Sequence, residues 1–66
     1  MSPDHLELLA DELWAGRLTT IASVKNLGDR ERVALEATIL NKYGKSVSLR
    51  GTTEQVQATL KLARVV

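Results

Sequence analysis

The stretch DRERVALEATILNKY, Asp29 to Tyr43, carries its apolar residues on two separate helical stripes. Val33, Ala37 and Leu40 follow one stripe, Leu35 and Ile39 make a second, and Ala34 bridges towards the first. A helix that is apolar over most of its circumference belongs in an interior. The chain has 66 residues, and a chain of that size buries only about 60% of the surface its unfolded form exposes. It contains no cysteine, so disulfides and thiolate zinc sites cannot staple it. The remaining staple is a second chain. The expectation is that the apolar inventory exceeds what one protomer covers.

The flanking segments read as follows. Residues 2–15 predict a helix: Ser2 caps, Pro3 takes the first helical position, and Asp4 sits at the positive helix end. Leu6, Leu9, Ala10, Leu13 and Trp14 form its apolar stripe, and Gly16 stops it. Residues 17–25, RLTTIASVK, are rich in Thr, Ile and Val and predict a strand, with Leu18, Thr20, Ala22 and Val24 on one face and Thr19, Ile21 and Ser23 on the other. Asn26-Leu27-Gly28 breaks that pattern, and Asp29 is the cap candidate of the helix that Tyr43-Gly44 ends. Residues 45–50, KSVSLR, alternate strictly and predict a half-buried strand. Thr52 and Gln55 have capping-box spacing. The helix they open, residues 53–65, places Val56, Leu60 and Ala63 on one stripe with Leu62 and Val66 beside it, and frays at its last two valines.

This order, α-β-α-β-α, makes one small α/β domain over residues 1–66. It has a two-stranded parallel sheet with a right-handed crossover. Two strands are a poor sheet, and a dimer would complete them to four. The alternative is all-α: residues 18–26 then form a short helix in a helix-turn-helix-like array.

The chemistry-bearing residues are sparse. His5 is the sole histidine, and with Asp4 beside it an exposed first-turn residue is the simpler reading than a zinc ligand. Ser23, Ser46 and Ser48 lack both a G-x-S-x-G setting and a nearby base. Asp4, Glu7, Asp11 and Glu12 look like ordinary surface charge. Gly16, Gly28, Gly44 and Gly51 fit neither phosphate-loop spacing nor a G-x-x-G clamp and read as caps and turns. No enzyme, cofactor, metal or small-molecule substrate is expected. No apolar run reaches the roughly 18 residues of a membrane span. The acidic start Met-Ser-Pro-Asp-His does not suggest a signal peptide, and the lack of cysteine fits a reducing, cytoplasmic setting.

Charge is asymmetric. Residues 1–15 carry four acids and no Lys or Arg, while the rest carry all nine basic residues against four acids. A basic face of Arg30, Arg32, Lys42, Lys45 and Arg50 would track phosphates in a small nucleic-acid-binding protein, with Tyr43 as its one stacking ring. The simpler reading is that acidic and basic parts complement each other, within the chain or across a dimer. Trp14 closes the first stripe, either as core or as an interface anchor.

Residues 20–50 resemble part of the C-terminal domain of the ATP synthase delta (OSCP) subunit, matching at Leu27, Leu35, Gly44, Lys45, Val47 and Leu49. That family shows a strand, a Leu before a helix cap, a helix ending near Lys-x-Gly-Lys, and a short strand. The resemblance therefore implies a strand–helix–strand unit over about half of the chain. It departs at Gly51-Thr52-Thr53, which opens a helix where the family continues into a Gly-Gly segment. Separately, the tail GKSVSLRGTTEQVQATLKLA is similar to the strand-Gly-helix ending of KH-like and BON domains. Neither resemblance carries a functional residue to this chain.

The reading that follows is a non-enzymatic protein–protein interaction module, an adaptor, inhibitor or small subunit of a larger assembly, that forms a homodimer. Its interface candidates are Leu6, Leu9, Leu13, Trp14, Val33, Leu35, Ile39 and Leu40.

Overall fold

The Ser2 hydroxyl accepts the His5 N–H at 3.3 Å and starts the first helix, with Pro3 at its first position. The computed structural model describes residues 2–65. Among them it contains helix α1 (Pro3–Trp14), helix α2 (Leu18–Ser23) with a single 3-10 turn (Val24–Asn26), helix α3 (Asp29–Tyr43), helix α4 (Thr53–Arg64), and no strand. Val66, placed beside the last stripe by its spacing, lies outside the described residues.

The α/β expectation is corrected: the domain is all-α, as the alternative reading had it. Residues 17–25 do not form a strand. Thr20, Ile21 and Val24 are buried, a helical spacing, while Leu18, Thr19 and Ser23 face out. Thr and Ile lean towards strands only as far as a neighbouring strand offers them a packing surface, and none of the described residues supplies one. Helical winding gives the polar groups partners instead: the Ser23 hydroxyl donates to the Thr20 carbonyl at 2.7 Å and the Thr20 hydroxyl to Glu12 at 2.6 Å.

Residues 45–50 are the second correction. They keep the alternation, with Val47 and Leu49 buried and Ser46, Ser48 and Arg50 exposed, but no ladder forms. The strand–helix–strand unit implied over residues 20–50 is therefore not the observed arrangement.

Helix ends follow the sequence more closely. Thr52 and Gln55 form the reciprocal box, at 3.1 Å from Gln55 N–H to the Thr52 hydroxyl and 2.8 Å from Thr52 N–H to the Gln55 side-chain carbonyl. At α3 the cap is Gly28 and not Asp29, which is the first helical residue. Glu31 accepts the Gly28 N–H at 3.1 Å, the backward half of such a box. Gly44 closes α3 at φ 70°, a left-handed conformation that glycine adopts without steric cost.

α1 packs chiefly on α3 and also meets α2 and α4, while α2 rests on α4. The shared core is Ala10 and Leu13 of α1, Ile21, Val24, Leu35 and Ile39, Val47 and Leu49 of the connecting segment, and Val56 and Leu60 of α4. Arg32 braces the turn between α2 and α3, donating to the Leu27 carbonyl at 3.2 Å and pairing with Asp29 at 3.2 Å.

Leu35 is fully covered, so Leu35→Ala should cost about 2–5 kcal/mol, a large part of the roughly 5–15 kcal/mol that holds a domain folded. A urea midpoint unmoved by this change would show that the core is placed elsewhere.

Candidate interaction surface

The acidic helix α1 is met by basic groups of its own chain. Asp11 receives the Tyr43 hydroxyl at 2.5 Å and lies 2.8 Å from the Lys42 ammonium. The Trp14 and Tyr43 rings stack with centroids 4.5 Å apart and planes 7° from parallel. One turn of α3 thus delivers a cation and a phenol to one carboxylate, and a ring to the face of Trp14. Glu12 takes Arg17 at 3.2 Å as well as the Thr20 hydroxyl. Arg64 donates to the Trp14 carbonyl at 2.7 Å, which ties the end of α4 to the end of α1. Its guanidinium occupies the space beside Gly16, where a Cβ would come within 2.7 Å of it, and Gly16 stands at φ 80°. The charge asymmetry is therefore resolved in part within a single chain.

The same contacts set the protonation of this cluster. The hydrogen bond from Lys42, then that from Tyr43, holds the Asp11 carboxyl below its ordinary value of 3.8. The hydrogen bond to Asp11 raises Lys42 above 10.5. The Tyr43 hydroxyl is pushed above 10.0, first by its hydrogen bond to Asp11 and then by burial.

The interface candidates separate into three groups. Leu13, Leu35 and Ile39 lie in the core of the single chain, and Leu6, Leu9 and Trp14 are half-buried against it. Val33 and Leu40 remain outside, 53% and 47% exposed. Ala37 is exposed between them. α3 thus buries its Leu35–Ile39 stripe and leaves its Val33–Ala37–Leu40 stripe to solvent. Arg30 and Asn41, both exposed, flank the open stripe.

The nucleic-acid candidates are divided as well. Arg32 is turned inward on the Leu27 carbonyl and Lys42 is held by Asp11. Arg30 and Arg50 are exposed and Lys45 half-buried. The outward face of α3, which a groove-reading helix would present, is apolar at its centre.

Several relevant residues were absent from the sequence-derived set. Glu36 accepts the Leu49 N–H at 2.8 Å and holds the connecting segment against α3; its position carries no sequence signal for this. Leu8 and Leu18 are exposed apolar residues, and Leu8 could have been noticed as the leucine that falls off the α1 stripe. Compared with family models, with curated proteins and with solved structures, the chain finds no match, so the functional reading rests on these surfaces.

Sign and direction give a test of the cluster. A depressed Asp11 contributes stability above its unfolded value and loses it as pH falls through the folded one. A raised Tyr43 contributes below its unfolded value and loses it as pH rises through the folded one. Tyr43 is the sole tyrosine, so its absorbance titration reads this one group. The midpoint should lie above 10.0 and should fall in Asp11→Asn. A midpoint indifferent to that substitution would mean the Asp11–Tyr43 contact is not formed in solution.

Proposed function

We propose that the chain is a non-enzymatic protein-interaction module that docks onto a larger protein through the outward stripe of α3. The observation that carries this reading is the stripe itself. Val33, Ala37 and Leu40 stand on the solvent side of a helix whose opposite stripe already fills the core. An apolar centre with a polar rim is the anatomy of a protein contact, and here Arg30 and Asn41 form the rim. Ala37, small and central, lets a partner helix approach closely. The partner surface that suits this stripe is an apolar helix or groove with a carboxylate at its edge to meet Arg30.

The basic residues give less support to nucleic-acid binding. Two of the five candidate cations are committed inside the chain, and an apolar stripe interrupts the exposed face between Arg30 and the others.

The test compares the immobilised wild-type chain with Val33→Glu and Leu40→Glu. Both variants should keep helical circular dichroism and lie within about 0.5 kcal/mol of wild-type stability, as surface substitutions do. Proteins retained by the wild type should be lost by both. Retention of the same proteins by all three chains would overturn the reading.

A further inference from the structure

We infer that the outward stripe of α3 is covered, in the free protein, by the same stripe of a second copy of this chain, antiparallel about Ala37, with Arg30 of each copy seated at Glu7 of the other. The inference rests on the docking stripe proposed above and names what occupies it until a larger partner takes its place.

Two surface features meet at this helix. The first is the stripe itself, with Val33, Ala37 and Leu40 exposed along α3. The second is an open groove between the start of α1 and the end of α3, lined by Pro3, Leu6, Glu7, Thr38, Asn41 and Lys42. Lys42 is committed to Asp11 at 2.8 Å. Glu7 is exposed and in no ion pair among the described residues, and the same holds for Arg30. An uncommitted anion therefore stands near one end of the stripe and an uncommitted cation at the other. A helix turns about 100° per residue, which puts Arg30 and Asn41 on one flank of the Val33–Leu40 line. The groove borders that same flank, since Asn41 is part of its wall.

Antiparallel packing is the arrangement that joins these charges. A parallel pair would set Arg30 level with Arg30, far from either groove. An antiparallel pair brings the start of one α3 to the end of the other. Its two-fold axis, running across both helices, keeps the flank of Arg30 and the flank of the groove on the same side of the pair.

Size selects the register. The residue on the axis meets itself, and the distance between packed helices depends on the side chains at the contact. Ala37 is the smallest residue of the stripe, and it lies one position from the midpoint of the 15-residue helix. Centring on Val33 or Leu40 would put a larger side chain on the axis and shorten the overlap. About Ala37, Val33 packs beside the second copy's Leu40, and Arg30 falls about 4.5 Å along the axis from the second copy's Asn41. An arginine side chain spans that offset and reaches Glu7 at the groove. The contact is isologous, so the Arg30–Glu7 pair forms twice and assembly closes at a dimer. The chain's net charge of +1 leaves little repulsion between two copies.

Charge reversal tests the inference. Sedimentation equilibrium of the wild type from micromolar to millimolar concentration should show a monomer–dimer equilibrium. Arg30→Glu and Glu7→Lys each set like charges together at both ends of the contact. Each should raise the dissociation constant about tenfold with unchanged helical circular dichroism, because both sites are exposed. The chain carrying both substitutions restores opposite charges and should return to within about threefold of the wild type. A sample mixed from isotope-labelled and unlabelled wild-type chains should also show an intermolecular contact between the methyl groups of Val33 and Leu40, a readout that needs no variant. A wild type that stays monomeric at millimolar concentration overturns the inference. So does a dimer that lacks the Val33–Leu40 contact, that ignores both single reversals, or that the double reversal leaves as weak as the singles. A monomeric wild type whose captured proteins are still lost on Val33→Glu ends this inference and leaves the docking stripe standing. A charge-sensitive dimer whose Val33→Glu variant retains the same captured proteins does the opposite.

Discussion

α3 has two apolar stripes and the chain has material to cover one of them. Which stripe goes inside is decided by its contact with α1. Leu13 and Ala10 of α1 supply the opposing surface to Leu35 and Ile39, and Asp11 locks the rotation of α3 by taking Lys42 and Tyr43 from its last turn. Turning α3 to bury Val33 and Leu40 instead would pull both groups off Asp11 and unstack Tyr43 from Trp14. It would also exchange Leu35 and Ile39, two large side chains four residues apart, for a stripe with an alanine at its centre. Burial free energy scales with the apolar area removed from water, so the pair with the larger contiguous surface wins the interior.

Polar pairing then determines how much of the basic character reaches the outside. Exposed ion pairs contribute little stability each, so Asp11 and Glu12 matter more for orientation than for energy. The Tyr43 hydroxyl and Trp14 ring are different in kind. They bring half-buried apolar area to the edge of the core, and the carboxylate gives the phenol a partner there. The position of Arg64 on the Trp14 carbonyl adds α4 to the same corner, so three helices meet at the end of α1, two of them, α1 and α3, joined through Asp11.

Much of this was legible in the residues. The α1 cap, the box at Thr52 and Gln55, the Gly44 stop and both α3 stripes follow from spacing and backbone chemistry that act within a few residues. What was not legible depends on long-range context. RLTTIASVK has the composition of a strand, and only the lack of another strand to pair with makes it helical. KSVSLR has the alternation of a strand and keeps it, but a helix lies where a ladder would be. Among the interface candidates, periodicity identified the α3 stripes and could not assign inside and outside, because either stripe satisfies the same spacing. Leu13, Leu35 and Ile39 therefore lie in the core of the single chain, while Val33 and Leu40 remain outside.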